Sequence, residues 1–143
     1  MTKILFICHG NICRSPMAEY LMKALVRQAG AEDRFTVASA ATSREEIGNP
    51  VYPPARRELA RHGIACDGHA ARQITRQDLT DYDLIYYMDG QNRRNLQRMF
   101  PDCTKFRPLL PDREVADPWY TGDFGRTWTD LLAGCRRILE EHL

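Results

Sequence analysis

The chain has 143 residues, 43% of them hydrophobic and 27% charged, a composition that excludes a disordered or fibrous protein. A chain of this length is expected to form one domain, residues 1–143, and to bury roughly 68–70% of its unfolded surface. The net charge of +1, from 20 Lys and Arg against 19 Asp and Glu, provides no strong field for nucleic acid or an anionic membrane, so we expect neither as a partner.

The N-terminal segment predicts a strand, a polar loop and a helix. Ile4–Ile7 is an unbroken apolar run, which is typical of a strand buried on both faces of a sheet. After the polar segment 9–14, Ser15 is expected to cap a helix that has Pro16 in its first turn and ends at Gly30. Apolar residues follow this cap at helical spacing: Met17, Tyr20, Leu21, Ala24 and Leu25.

Strands and helices continue to alternate along the chain. Further strands are predicted at 35–40, 84–88 and 106–110, and helices at 55–62, 91–99 and along a C-terminal stripe from Trp128 to Leu139. This alternation predicts an α/β fold, a Rossmann-like four-stranded parallel sheet with helices on both faces and right-handed crossovers. Ligands of such sheets bind beyond the carboxyl ends of the strands, where the loop after the first strand lies.

The loop between the first strand and the first helix has features that suit anion chemistry. Amides of a tight loop can converge on one point, and the helix N-terminus adds partial positive charge, which also stabilises a thiolate at Cys8. Gly10 permits close approach of the backbone, and Asn11 tolerates the left-handed conformation that a curled loop needs. Arg14 can present two N–H groups to two phosphoryl oxygens, and the Ser15 hydroxyl can donate to the thiolate.

Residues 8–16, CHGNICRSP, closely resemble the active-site loop of the low molecular weight protein tyrosine phosphatases. Further segments resemble that family in the same order along the chain: 39–43, 69–75, 82–83, 88–89 and 117–120. The resemblance implies the fold of that family and an enzyme that hydrolyses phosphotyrosine and aryl phosphate monoesters through a phosphocysteine intermediate. It also implies a phosphotyrosine-containing protein as substrate, and a reaction that needs no metal ion or cofactor.

The resemblance also assigns roles to individual residues. It makes Cys8 the nucleophile, Arg14 the phosphate clamp and Asp117 the general acid. Read alone, Asp117 followed by Pro118 is a turn signal, but a phenolate leaving group of pKa about 10 needs an acid, and a positioned one contributes about 10²–10⁴-fold. The phosphate-binding loop then comprises His9, Gly10, Asn11, Ile12, Cys13, Arg14 and Ser15. A hydrogen-bond network that supports the loop comprises Asn11, Ser15, Ser39 and His69.

Several positions depart from the common pattern of the family and bear on substrate preference. Glu45 lies where relatives often have an aromatic residue beside the pocket, and Trp119 replaces one of two frequent tyrosines, the other being Tyr120. We predict that these three residues form the wall of the substrate pocket. His9 is interpreted as a surface histidine. Ile12 lies where bacterial relatives that act on phosphoarginine carry Thr, so its apolar side chain favours phosphotyrosine.

The cysteine content favours a reducing compartment. Five cysteines are an odd number, in a chain too large to need a disulfide scaffold: Cys8, Cys13, Cys66, Cys103 and Cys135. The run Ile4–Cys8 is too short for a membrane span or for the apolar region of a signal peptide, so we expect a cytoplasmic protein. The expected oligomeric state is a monomer or a weak homodimer. Cys13 matches the second loop cysteine of many family members and is expected to be a redox partner of Cys8.

Two arginine clusters lie outside the loop. They consist of Arg56, Arg57 and Arg61 in one predicted helix and Arg93, Arg94 and Arg98 in another. We interpret both clusters as solvated helix faces, and docking of an acidic partner on one of them stays open as an alternative.

Three alternative functions share some of these features. A thioredoxin-coupled arsenate reductase has the same fold and loop but uses two further cysteines on one mobile segment, and no such close pair occurs here. A phosphocysteine carrier domain uses a similar loop without hydrolysis, and a clamp combined with a general acid argues against it. The spacings of Cys8 with Cys13 and of Cys66 with His69 also fit a zinc site, although the charge of Arg14 would be unfavourable beside a dication.

Overall fold

A computed structural model describes residues 1–143. The strands are β1 (Thr2–Cys8), β2 (Phe35–Ala41), β3 (Leu84–Tyr87) and β4 (Phe106–Pro108). The helices are α1 (Arg14–Gln28), α2 (Pro53–Arg61), α3 (Arg76–Asp81), α4 (Gly90–Met99), α5 (Pro118–Thr121) and α6 (Phe124–His142). All neighbouring strands pair in parallel, in the order β2-β1-β3-β4. The predicted α/β fold with its four-stranded parallel sheet is confirmed.

The central strand β1 buries side chains on both faces of the sheet. Ile4 and Phe6 join the larger hydrophobic core, together with side chains from α1, α2 and α6. Leu5 and Ile7 join a smaller core with side chains from α3 and α4 on the opposite face. The run Ile4–Ile7 has no polar residue because helices cover both faces of the sheet at this strand. None of these helices combines the length and hydrophobicity that crossing a bilayer requires.

The prediction that Ser15 caps the first helix is wrong. α1 begins at Arg14, Cys13 occupies the cap position, and no side chain accepts a capping hydrogen bond there. The Ser15 hydroxyl instead lies 2.8 Å from Asn11 Nδ2 and 3.0 Å from Cys8 Sγ. The buried polar groups of the preceding loop need hydrogen-bond partners, and the Ser15 hydroxyl provides one to each of these two residues.

The two shortest helices, α3 and α5, were not predicted, because neither is long enough to show a helical period. α3 does carry a readable start signal, since Thr75 and Asp78 form a reciprocal capping box. α2 begins at Pro53, two residues before its predicted start, and β4 ends at Pro108, two residues before its predicted end. These differences leave the order and direction of the strands unchanged.

The carboxyl ends of β1 and β2 meet at one edge of the sheet. Cys8 ends β1 and lies opposite Ala41, which ends β2. The loop at residues 9–13 therefore emerges at this edge and leads directly into the N-terminus of α1, as the sequence predicts for a ligand site in a parallel sheet.

Candidate active site

A cleft of about 240 Å³ opens above Cys8 at this edge of the sheet. Its walls come from the loop after β1, the segment after β2 and the segment that enters α5. Eleven residues line it: Cys8, His9, Gly10, Ile12, Cys13, Arg14, Glu45, Glu46, Asp117, Trp119 and Tyr120. Cys8, Arg14 and Asp117 therefore share one cleft, although 103 positions separate Asp117 from Arg14 in the sequence.

Cys8 lies at the floor of the cleft, with 3% of its surface exposed. The backbone N–H of Ser15, in the first turn of α1, donates to Cys8 Sγ at 3.4 Å. The Ser15 hydroxyl oxygen lies 3.0 Å from the same sulfur. Hydrogen-bond donors at a helix N-terminus stabilise negative charge, so both contacts are placed to stabilise negative charge on this sulfur during the reaction.

Asn11 holds the loop in its curled shape with a left-handed backbone, φ 61°. His69 Nε2 donates to the Asn11 carbonyl oxygen at 2.8 Å, and the backbone N–H of Arg72 donates to Asn11 Oδ1 at 3.1 Å. Because Oδ1 accepts, the amide nitrogen of Asn11 is the donor to its other neighbours. It reaches Ser15 Oγ at 2.8 Å and Ser39 Oγ at 2.9 Å.

These contacts fix the direction of the hydrogen bond to Cys8. A serine hydroxyl has one hydrogen, and Ser15 Oγ already accepts from Asn11, so the Ser15 hydrogen is free to donate to the sulfur. Ser39 Oγ likewise accepts from Asn11 and donates its hydrogen to Glu19 Oε1 at 2.6 Å. The network therefore presents an O–H donor to the Cys8 thiolate.

Glu19 is a member of this network that the sequence analysis missed. It is 7% exposed, and Lys23 pairs with its second carboxylate oxygen. Ser15, Glu19 and Lys23 follow one another at intervals of four residues on α1, so they share one face of the helix. A polar series at this spacing, directly after the loop, was the available sequence signal.

Two acceptors outside the cleft, the Asp89 carboxylate and the Val115 carbonyl, hold the Arg14 side chain in place. Only 2% of it is exposed, and Nη1 donates to Asp89 Oδ2 at 2.8 Å and to the Val115 carbonyl at 2.7 Å. Burial acts to lower the pKa of Arg14, but the charges of Cys8, Asp89 and Asp117 raise it above its ordinary value. The guanidinium is therefore charged. The N–H of Nε and one N–H of Nη2 remain for phosphoryl oxygens, since Nη2 also reaches Asp117 at 3.4 Å. Asp89 was not among the predicted site residues.

Asp117 is held at the entrance to α5 by both of its carboxylate oxygens. Oδ1 accepts the backbone N–H of Trp119 at 3.0 Å and caps the helix, whose first residue is Pro118. Oδ2 lies 3.4 Å from Arg14 Nη2. Oδ2 is therefore the atom placed to exchange a proton with a group bound at Arg14.

The mouth of the cleft combines acidic and aromatic side chains. His9 Nε2 lies 3.1 Å from Glu45 Oε2 at the exposed rim. The Trp119 ring is half exposed and packs on Tyr52 with a centroid separation of 4.8 Å. The predicted wall residues Glu45, Trp119 and Tyr120 all line the cleft, and so does Glu46, which the sequence analysis omitted. Ser39 and His69 stand behind the loop and act on it through Asn11.

Comparison with known proteins finds a similarity that covers nearly the whole chain and not the active-site loop alone. The low molecular weight phosphotyrosine protein phosphatase family matches residues 3–143. The chain belongs to this family. Among curated relatives, the phosphatase is 39% identical to the low molecular weight protein-tyrosine-phosphatase YfkJ of Bacillus subtilis, over 97% of this chain and 94% of that protein. It is 38% identical to the human low molecular weight phosphotyrosine protein phosphatase, over 96% and 94%.

Solved structures show the same relationship for the phosphatase fold. The crystal structure of YfkJ superposes with a TM-score of 0.93 at 37% identity, covering 99% of this chain and 94% of that one. The Drosophila arginine phosphatase DARP superposes with a TM-score of 0.89 at 31% identity, covering 98% of this chain and 97% of that one. The protein is a protein tyrosine phosphatase by family, and membership implies phosphoprotein substrates. One of its structural neighbours nevertheless acts on a different phosphoresidue.

Proposed function

We propose that this phosphatase hydrolyses phosphotyrosine in proteins with Cys8 as nucleophile, Arg14 as phosphate clamp and Asp117 as general acid and base. The observation that supports this assignment is their convergence on one cleft. The thiol lies at its floor with an O–H donor beside it, the guanidinium is fixed next to it, and one carboxylate oxygen faces it. A reacting phosphoryl group has a place between all three.

In the first step, the Cys8 thiolate attacks phosphorus in line with the departing tyrosine oxygen. An S–P bond forms and the P–O bond to tyrosine breaks. Arg14 and the amides of the loop hold the equatorial phosphoryl oxygens, and they supply the positive charge that the transition state requires. Asp117 transfers its proton from Oδ2 to the tyrosine oxygen, so that a neutral phenol departs.

In the second step, water attacks the phosphocysteine. Asp117, now a carboxylate, removes a proton from this water, the S–P bond breaks, and inorganic phosphate leaves. Cys8 returns to the thiolate and Asp117 to the acid. The Ser15 hydroxyl assists this step because it donates to the sulfur as the leaving group regains its negative charge.

We further propose that residues 1–143 form one phosphatase domain that works in the cytoplasm as a monomer or weak homodimer. All five cysteines are free thiols, and a cysteine nucleophile must remain reduced, which favours a reducing compartment. The proposal includes no metal, cofactor, nucleic acid or membrane partner, since Arg14 and the loop amides supply the charge that phosphoryl transfer needs and the net charge is only +1.

Substrate preference tests the proposed function directly. On matched peptides, we expect turnover of phosphotyrosine to exceed that of phosphoserine, because Cys8 lies at the floor of the cleft, beyond the reach of a short ester. Phosphoarginine is expected to be slower by about 5–150-fold, because the apolar Ile12 side chain leaves guanidinium N–H groups unpaired at a cost of about 1–3 kcal/mol. The measurement is kcat/KM on three peptides that differ only in the phosphoresidue.

Ile12→Thr provides the matched variant for this preference. A threonine hydroxyl can accept from a guanidinium, so the variant is expected to raise the ratio of phosphoarginine to phosphotyrosine turnover. Glu45→Gln tests the opposing influence, since a carboxylate at the rim favours a guanidinium. If the unmodified enzyme turns over phosphoarginine faster than phosphotyrosine, the substrate assignment is wrong, while the roles of Cys8, Arg14 and Asp117 are unaffected.

Oxidation is a separate prediction about the two cysteines of the loop. Peroxide is expected to convert the Cys8 thiolate to a sulfenic acid, and the Cys13 thiol then displaces water to form a Cys8–Cys13 disulfide that thiol reductants reverse. Burial, with the negative charge of Cys8, raises the pKa of Cys13. Because the thiolate is the attacking form, disulfide formation is expected to accelerate as the pH rises from neutral to alkaline.

Peptide mass mapping of the oxidised enzyme measures this outcome. The Cys13→Ser variant is the control, and it should proceed to an irreversible Cys8 sulfinic acid under the same peroxide treatment. A Cys8 sulfinic acid without any Cys8–Cys13 peptide in the unmodified enzyme would show that Cys13 is a packing residue only.

A further inference from the structure

Two surface grooves continue from the active-site cleft and meet at one arginine. The α5 groove, of about 520 Å³, shares Trp119 with the cleft and is lined among others by Tyr52, Arg57 and Phe124. The α2 groove, of about 400 Å³, shares Ile12 and Glu46 with the cleft and is also lined by Tyr52 and Arg57. The rings of Tyr52 and Trp119 pack together; Trp119 lines both the cleft and the α5 groove, and Tyr52 lines both grooves.

Arg57 is placed rigidly beside both grooves. It lies in the second turn of α2, whose start is fixed by Pro53 and Pro54, and its side chain is exposed. Ala55 and Leu59 of the same helix are fully buried in the main core, so the helix cannot rotate away without exposing apolar surface. The guanidinium therefore projects from a fixed backbone position near the active site.

The cations next to Arg57 already have carboxylate partners. Arg56 donates to Asp67 at 2.7 Å, and Arg61 donates to the buried carboxylate of Glu58. Glu58 Oε2 also lies 2.9 Å from His62 Nε2, so both carboxylate oxygens of Glu58 have partners.

The acidic residues of the two grooves are likewise engaged elsewhere. Asp123 accepts the backbone N–H of Arg126 at the start of α6, and Glu46 accepts from Asn49 at 2.6 Å. The Arg57 side chain forms no hydrogen bond or ion pair, whereas the carboxylates that line the same grooves accept hydrogen bonds from other groups. An exposed, unpaired guanidinium is suited to a carboxylate, which it can bind through two parallel N–H groups.

We propose that Arg57 binds the carboxylate of an Asp or Glu side chain that flanks the phosphotyrosine in the protein substrate. This inference rests on the proposed function, because it requires phosphotyrosine in the cleft. Successive residues of an extended substrate advance at most about 3.3–3.6 Å each, so each flanking position lies at a different distance from the phosphotyrosine and one of them is expected to meet Arg57. Within the arginine cluster on α2, only Arg57 would then contribute to substrate specificity, because Arg56 and Arg61 form ion pairs with Asp67 and Glu58.

The test is a scan of phosphotyrosine peptides in which a single Glu or Gln occupies each flanking position in turn. At the position that meets Arg57, the Glu peptide is expected to have a kcat/KM about two- to five-fold higher than the Gln peptide, the range for an exposed ion pair. This ratio should fall to about one in Arg57→Gln. In Arg57→Glu, a Lys peptide should become the preferred one at the same position.

Arg136→Gln is the matched control for net charge. Arg136 is exposed on α6, eleven residues beyond Gly125 of the α5 groove, which is about 16 Å along the helix axis. Its variant should keep the Glu preference of the unmodified enzyme. The preference should also weaken in about 1 M salt, where the Debye length is about 3 Å.

The outcomes separate this inference from the proposed function. If the enzyme fails to hydrolyse a small aryl phosphate, the proposed function itself is wrong. If it hydrolyses the aryl phosphate but Arg57→Gln keeps the Glu-to-Gln ratio of the unmodified enzyme, the Arg57 inference is wrong. An equal loss of preference in Arg136→Gln also contradicts a carboxylate site at Arg57.

Discussion

Cys8→Ser is expected to reduce turnover of phosphotyrosine and aryl phosphates to below about 0.1% of the unmodified enzyme. A serine hydroxyl is not ionised at neutral pH and needs a base to become a nucleophile. Both groups that hydrogen-bond Cys8 Sγ, the hydroxyl and the backbone N–H of Ser15, are placed as donors. Neither can take a proton from the new serine, so the variant lacks an activated nucleophile.

Binding of phosphate or vanadate should survive in Cys8→Ser. Arg14 keeps its contacts with Asp89 and Val115, and the loop keeps its shape through Asn11, so the anion site remains assembled. Retained binding is measured as an increase in Tm with anion concentration. Loss of turnover together with retained binding assigns the chemistry, and not the fold, to Cys8.

Cys103→Ser is the matched control, since Cys103 is only partly buried and lies outside the cleft. It should retain the activity of the unmodified enzyme. Substantial turnover by Cys8→Ser would contradict a covalent phosphocysteine mechanism, because direct attack by water would then account for the reaction.

The fold was accessible from the sequence because local signals agree with the global arrangement. The run Ile4–Ile7 has no polar position, which only a central strand covered on both faces tolerates, and the alternating strands and helices restrict the topology. The start of α1 was assigned wrongly because Ser15 serves two buried partners from the loop, a tertiary demand that overrides the capping preference. The omitted helices, α3 and α5, are too short for periodicity, although Thr75 and Asp78 signal the first of them.

Only part of the active site could be predicted from the sequence, because several of its contacts exist only in the folded chain. Cys8, Gly10, Asn11 and Arg14 lie in one local motif whose chemistry can be derived from its strand and helix context. Asp117 approaches Arg14 only through the fold, so it could be assigned by family resemblance and not by spacing. Two carboxylates were missed. Asp89 beside Arg14 carries no sign of its partner in the sequence, and Glu19 behind Ser39 is marked only by its helical spacing from Ser15 and Lys23, which does not reveal a contact with β2.

Asp117→Ala is expected to lose activity in proportion to the leaving group's need for a proton. For phosphotyrosine, whose phenolate is a poor leaving group, kcat/KM should fall by about 10²–10⁴-fold. For an aryl phosphate with an acidic phenol, the leaving oxygen departs without protonation and the loss should be much smaller. The measurement is kcat/KM, which reports the first step, across a series of aryl phosphates of graded leaving-group acidity, and it should show a steeper dependence in the variant.

Asp117→Asn separates the acid from the structural role of the same side chain. Its amide oxygen can still accept the Trp119 N–H and cap α5, as Asp117 Oδ1 does at 3.0 Å, but the amide cannot serve as a general acid. We therefore expect Asp117→Asn to match Asp117→Ala on phosphotyrosine. If Asn restored most of the activity, or if both variants lost equally across the leaving-group series, Asp117 would act by holding α5 and Trp119 in place, and the proton would come from another group.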